Sequence, residues 1–354
     1  MPLTAKFAGQ RVISVALSDE EWAQLKADVR AKRRALVLAC GYPGHGKTSP
    51  LGTRYFAHNP GGDGCSAGES KEHLLSKEHI VRGILAADWE PSPEHRSPDG
   101  EWIADVLAER DGVRVVFEVQ WSPQSADEYT MRTDRYRASG IQSIAWFARK
   151  PVGLSMSSKT LPVFRLTIDG GVPTAHIETD SPNDSTPLPL ADVVERLLTR
   201  RIQHRTKVAN GHATNRLMRV APLDCYKCHQ QFGIWEVLAD VTTGNCGLTV
   251  SEPLDQEMFQ THRLEATTEA REAGHHACQS MGIQPARLGS RSTRASGTRY
   301  MAFICPHCNA TSGDFFNRDA LMQSDNPFIE FPVAPKAIHH QHWCVATPQG
   351  LCAS

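Results

Sequence analysis

The chain has 354 residues, 40% of them hydrophobic and 22% charged, with a formal net charge of −1. That length allows two domains, each able to bury a core, and the near-neutral balance leaves any nucleic-acid contact to local patches. No window approaches 18 uninterrupted apolar residues, and Met1 to Lys6 lacks the basic and apolar blocks of a secretory signal, so the chain reads as cytoplasmic with no membrane partner. Its ten cysteines then read as thiols and metal ligands rather than a disulfide framework.

In chain order, residues 1 to 35 read as an N-terminal extension. It comprises a strand over 11 to 16 and a helix N-capped by Ser18, with Asp19, Glu20 and Glu21 in the first turn. The Lys32-Arg-Arg34 run, like Arg200 to Lys207 further on, reads as a solvated helix end before it reads as a nucleic-acid contact. A short strand over 35 to 39 leads into Gly41-Tyr-Pro-Gly-His-Gly-Lys-Thr48, which fits the phosphate-loop expression. The mechanism of that loop needs a long helix to follow, whereas Ser49-Pro-Leu-Gly52 disfavours helix and residues 53 to 57 are strand-like. Nucleotide binding is therefore set aside.

A helix is expected over 69 to 87, with Glu69, His73 and Lys77 recurring every four residues along one face. Strands over 102 to 109 and 113 to 121 form a hairpin around Arg110-Asp-Gly112. A helix over 125 to 139 carries Arg132 and Tyr136 one turn apart, and an apolar strand follows over 143 to 148. A strand ahead of the hairpin would have to lie within 89 to 96, where Pro91 and Pro93 weaken it. Residues 160 to 180 supply two more strands, 181 to 189 a linker-like loop, and 190 to 201 an amphipathic helix.

The hairpin carries the chemistry. Asp105 ends its first strand, and Glu118 and Gln120 share one face of the second amid Val116, Phe117 and Val119. Carboxylates among apolar residues are costly unless a cation or hydrogen bonds compensate, and oxygen ligands suit Mg²⁺.

Taken together, Tyr55-Phe-Ala-His58, Glu69-Ser-Lys-Glu-His73 with Lys77, Ala104-Asp-Val-Leu-Ala-Glu109, Glu118-Val-Gln120 with Ser122, Arg132-Thr-Asp-Arg-Tyr136 and the Trp146-Phe147 strand resemble the CoiA-like competence family. The common core of that family is a PD-(D/E)xK nuclease. The resemblance implies an α/β, restriction-endonuclease-like core over 36 to 150, with a mixed central sheet flanked by helices and added strands and helix over 151 to 207. Asp105 and Glu118 would hold Mg²⁺ or Mn²⁺. Gln120 stands where the family pattern has Lys, so Lys77 or a substrate phosphate would assist. Glu69 and His73 would join the site, and Arg132 and Tyr136 would contact phosphate or buttress the sheet. The implied partner is DNA, single-stranded forms included. The alternative is a factor that binds or processes DNA with this fold but without turnover, carrying a zinc-ribbon interaction module. Relatives also carry a Cys/His turn before the FxH motif, which makes Cys40, His45, His58 and Cys65 a candidate small-metal set.

After Lys207 the texture changes to an α+β zinc-binding region over 208 to 354. Cys225-Tyr-Lys-Cys228 and Cys305-Pro-His-Cys308 are two C-x2-C knuckles, together able to supply four thiolates to a structural Zn²⁺ in a zinc-ribbon arrangement. The 76 residues between them imply an inserted subdomain over 229 to 304. His275, His276 and Cys278, or His339, His340, His342 and Cys344, could form another metal site.

Overall fold

A computed structural model of the chain describes residues 2 to 59, 69 to 150, 157 to 178, 185 to 208, 214 to 254, 264 to 292, 299 to 348 and 350 to 352. The chain divides into two units: residues 1 to 205 with 341 to 346, and residues 206 to 340 with 347 to 354. Among the described residues no helix is long and apolar enough to cross a membrane.

The first unit begins with strands β1 (Thr4–Phe7) and β2 (Gln10–Ile13), a 3-10 turn at Ser14–Ala16, helix α1 (Asp19–Arg30) and strand β3 (Leu36–Val37). Ser18 and Glu21 close α1 with a full capping box, and Arg33 and Arg34 both reach Asp28 near its end. The first basic run therefore serves the helix terminus. Strands β4 (Gly44–Thr48) and β5 (Arg54–His58) form an antiparallel hairpin. The phosphate-loop match lies in a strand, with Lys47 opposite Tyr55 and no helix following.

Helix α2 (Lys71–Ala86) is capped by Ser70, whose hydroxyl accepts the His73 N–H. Next come β6 (Glu90–Arg96), β7 (Ile103–Arg110), β8 (Val113–Gln120), α3 (Ala126–Ala138), β9 (Ser143–Ala148), β10 (Val163–Asp169), β11 (Val172–Glu178), β12 (Ser185–Pro189), α4 (Leu190–Leu198) and β13 (Ile202–Arg205). Strands β6 to β12 build one seven-stranded mixed sheet in sequential order. The β8–β9 and β9–β10 pairs are parallel and the rest antiparallel. Strand β9 is buried from Ile144 to Ala148, so it reads as continuous apolar sequence, as a covered parallel strand should. Helices α2 and α4 cover one face through Leu74, Ile80, Ile84, Val193 and Val194, and α3 covers the other through Tyr129 and Tyr136.

Three expectations change here. The strand over 89 to 96 forms despite its prolines because β6 is an edge strand, where a missing N–H costs no ladder bond on the open side. Residues 185 to 189 are no linker: they are the opposite edge strand, β12, pairing with β11. The sheet also runs past residue 150, since β10 to β12 extend it.

Gly83 lets α2 and α4 approach closely: a Cβ there would lie 2.4 Å from the Ala191 carbonyl oxygen and 2.8 Å from Val194 Cβ. Gly83→Ala is expected to destabilise the first unit by about 1–3 kcal/mol through overpacking. That exceeds the gain of about 1 kcal/mol from better helix propensity. Urea unfolding checks it, and equal or greater stability would contradict the close packing.

In the second unit, β14 (Thr214–Asp224), β15 (Gln231–Thr243), β16 (Thr249–Pro253) and β19 (Ile329–Val333) form a four-stranded antiparallel sheet, ordered β16-β15-β14-β19. Helix α5 (Thr268–Ser280), the hairpin β17 (Arg287–Ser292) with β18 (Arg299–Ile304), and helix α6 (Asp314–Met322) complete it. Residues 229 to 304 do not stand apart as an inserted subdomain. They supply β15, the partner of β14, and share one apolar cluster with β14, β19 and both knuckles. The last strand, β20 (His342–Val345), belongs to the first unit and pairs with β13.

Candidate functional site

The β7–β8 ladder runs from Arg110↔Val113 to Val106↔Phe117 and stops there. Beyond that point two carboxylates take over the backbone donors. The Asp105 N–H donates to Glu118 Oε1 at 3.2 Å, and the Val119 N–H donates to Asp105 Oδ2 at 2.9 Å. These bonds satisfy donors left over by the end of the ladder, and they hold two acids next to each other that would otherwise repel.

On the α2 side, Asp105 meets the start of the helix. His73 Nε2 stands 3.1 Å from Asp105 Oδ2 and 3.8 Å from Glu69 Oε1, yet this buried nitrogen has no well-aligned hydrogen-bond partner. Burial opposes charging of His73, and the contact with Asp105 and the negative charges of Asp105 and Glu69 outweigh it, so its pKa lies above the ordinary value. Lys77 Nζ, one turn further on, bridges Glu69 at 2.8 Å and Glu94 at 2.6 Å. Although burial works against its charge, the Glu94 and Glu69 carboxylates hold its pKa well above the usual lysine value. Lys77 thus sits as the cation between two carboxylates.

On the α3 side, Glu118 is 2% exposed. Its Oε2 receives Arg132 at 2.6 Å and its Oε1 receives the Tyr136 hydroxyl at 2.5 Å. Arg132 also stacks on Trp146, 4.5 Å from the ring centre, and donates to Gln120 Oε1 at 3.2 Å. The Gln120 amide donates in turn to the Ser122 carbonyl. Burial, followed by the charge of Asp105, pushes Glu118 up to about 7 against the pull of Arg132 and Tyr136. Asp105 is displaced the opposite way, because His73 and Lys77 outweigh its burial.

All eight residues singled out around the hairpin thus gather at one end of the sheet, but in two groups. Glu69, His73 and Asp105 lie close enough together to hold a metal ion, with Lys77 behind them. Glu118, Gln120, Arg132 and Tyr136 form the second group, joined to the first through the Asp105 N–H. Arg132 and Tyr136, expected to meet phosphate or to buttress the sheet, are engaged with Glu118. Glu94, which no motif of the sequence marks, joins the first group through Lys77. It lies between the pairs Pro93↔Val106 and His95↔Ala104, opposite Asp105, at a positive φ of 50°. Its carboxylate also accepts the Leu3 N–H and the Thr4 hydroxyl, both at 3.1 Å. A left-handed, non-glycine residue in a strand costs of order 1 kcal/mol or more, which the contacts to Lys77, Leu3 and Thr4 help to offset.

The second unit brings Cys225, Cys228, Cys305 and Cys308 together. Sγ of Cys225 and Cys308 are 3.5 Å apart, and those of Cys228 and Cys305 are 3.8 Å apart. A tetrahedron with Zn–S bonds of ~2.3 Å has edges of about 3.8 Å, so the spacing fits. The knuckles are built alike. His229 N donates to Cys225 O and Asn309 N to Cys305 O, and both His229 and Asn309 take positive φ. Burial opposes ionisation of Cys225, but the Cys228 and Lys227 N–H groups and Cys308 outweigh it and hold its pKa at about 6.

The other metal candidates fare differently. Cys278 is fully buried in the apolar core, its pKa pushed up to about 11 by burial, and His275 sits edge-on to Trp235. Among the described residues that set forms no metal group. Of the second set, His342 and Cys344, both on β20, place their ligand atoms close enough to share a metal ion, whereas His339 and His340 join no such group among the described residues. Cys40 Sγ is 3.1 Å from His58 Nε2, whereas His45 turns to Asn59, and Cys65 lies outside the described residues.

Among known families, residues 69–158 match the nuclease-like domain of competence protein CoiA. The match spans α2 to β9 and with it every residue of both groups at the sheet end. No curated protein matches the chain.

Proposed function

We propose, from the CoiA nuclease-like domain this chain carries, that it is a divalent-cation-dependent nuclease of PD-(D/E)xK type acting on DNA. The observation that carries the reading is the buried His73 nitrogen without an aligned hydrogen-bond partner, set between the Glu69 and Asp105 carboxylates beside Glu118. The αβββαβ order of α2 to β9, with acids at the splayed end of the hairpin, supports it.

Glu69, His73 and Asp105 would hold the cation, with Glu118 as the adjoining carboxylate. An imidazole among oxygen donors suits Mn²⁺ better than Mg²⁺. The bound ion supplies a water of lowered pKa and neutralises charge on the scissile phosphate. Lys77, paired with both carboxylates, would act electrostatically by offsetting the repulsion of Glu69 and Glu94. Gln120 has no basic site and can only orient a neighbour through its amide. Arg132 and Tyr136 fix the Glu118 carboxylate, so that it need not reorganise when substrate arrives.

Both His73 and Glu118 must lose a proton to face a cation, and both have folded-state pKa values above their ordinary ones. Their contribution to the metal-free fold is complete below the unfolded values and is lost as pH rises through the folded ones. Mn²⁺ is therefore expected to raise Tm more at pH 8 than at pH 6, with a smaller difference in Glu118→Gln. Equal shifts at both pH values would remove these groups from the metal site.

The test of function is cleavage of labelled single-stranded and duplex DNA with Mn²⁺, Mg²⁺ or EDTA. Cation-dependent cleavage is expected. A second reading, a DNA-binding factor without turnover, is favoured by the engagement of Glu118 and Gln120 with Arg132; retained binding with no cleavage under any cation would establish it.

A further inference from the structure

Beside Glu118, on the side away from His73, the first unit has an open cleft of about 360 Å³ whose lining includes Arg96, Glu101, Trp102, Arg132, Arg135 and Tyr136. Three guanidinium groups face one cleft with a single acid, Glu101. Arg132 is committed to Glu118 and Gln120. Arg96, at the end of β6, and Arg135, on α3, are both exposed, and their side chains make no hydrogen bond or ion pair with a described residue. The floor is rigid: Trp102 is 6% exposed, its ring nitrogen donates to the Ser139 hydroxyl, and it packs edge-on against Tyr136. Arg96 and Arg135, beside a stiff base and without carboxylate partners among the described residues, are suited to phosphodiester oxygens, which guanidinium recognises with paired donors.

We propose that this cleft binds the phosphodiester backbone of the nucleic-acid strand flanking the reacting phosphate, with Arg96 and Arg135 as the contacting residues and Arg132 linking the cleft to Glu118. The proposal rests on the nuclease reading for its substrate class. It adds a direction: the strand leaves the site along the α3 side, past the end of β6. Backbone contacts of this kind position a strand without reading sequence.

The test is fluorescence anisotropy with a labelled single-stranded DNA and the corresponding RNA, over a range of salt, in an Asp105→Asn background that prevents turnover. Arg96→Gln with Arg135→Gln, both at exposed positions, is expected to weaken binding at least fivefold. It should also make the salt dependence shallower by about 1.4 in log–log slope, the loss of two phosphate contacts on a single strand. Equal weakening for DNA and RNA fits backbone recognition, and a loss confined to one sugar type would overturn it. Unchanged affinity and slope, or no nucleic-acid binding by the parent chain, would also overturn the cleft. If the parent binds and the double variant does not, the cleft stands even where no cleavage is found. If wild type cleaves DNA and the two substitutions alter neither cleavage nor binding, the nuclease reading stands and the cleft falls.

Discussion

Asp105→Asn is expected to lower cation-dependent DNA cleavage by about 10³-fold or more with little change in stability. Asp105 touches both halves of the site: its carboxylate faces His73 and accepts from Val119, and its N–H fixes Glu118. Asparagine keeps the shape and can keep the Val119 bond, but it removes the negative charge that would hold the proposed cation and that helps raise the His73 pKa. Lewis-acid stabilisation of several kcal/mol corresponds to three or more powers of ten in rate. Cleavage of labelled DNA under single turnover, with Tm measured alongside, checks this. A folded variant retaining a tenth of the activity would move the metal site elsewhere, with Glu118 the next group to remove.

The second large effect concerns the four thiols. Cys305→Ser, or treatment with a strong zinc chelator, is expected to abolish cooperative unfolding of the second unit. Cys225 and Cys305 belong to its buried cluster, so freeing the ligands opens the core as well as the knuckles. Structural zinc contributes roughly 10 kcal/mol or more to small metal-bound folds, as much as the whole stability of many domains. Cys278→Ala serves as control: that thiol is buried against Gly233 and outside the metal group, so the variant should keep the same metal content as the wild type. Metal analysis with calorimetry decides it, and a metal-free protein melting at the same temperature would refute a structural zinc.

What could be read from the sequence follows the range of the forces involved. Helix α2, the β7–β8 hairpin and the two knuckles are specified by residues within a few positions of one another, through periodicity, a tight Asp-Gly turn and the x2 spacing. Edge strands β6 and β12 were obscured because proline argues against strand in general, and only the finished sheet shows which strands lie at its margin. Glu94 left no local signal. Its partners, Leu3, Thr4 and Lys77, come from 91, 90 and 17 residues away. The pairing of Glu118 with Arg132 and Tyr136 was likewise invisible. One-turn spacing of Arg132 and Tyr136 fixed that they share a helix face, but not that the face would close over a carboxylate.

Strand β20 has a consequence for how this protein is made. It pairs with β13 across more than 130 residues of intervening chain, and Trp343 packs edge-on to Phe164 of the main sheet. During synthesis the first unit therefore waits for its last strand until nearly the whole second unit has been translated. A fragment ending at residue 205 would expose the surface that β20 covers, so dividing this protein at its apparent domain border would yield a sticky, incomplete first half. A circularly rearranged gene, with residues 341 to 346 fused behind residue 205, would be the sounder route to that unit alone.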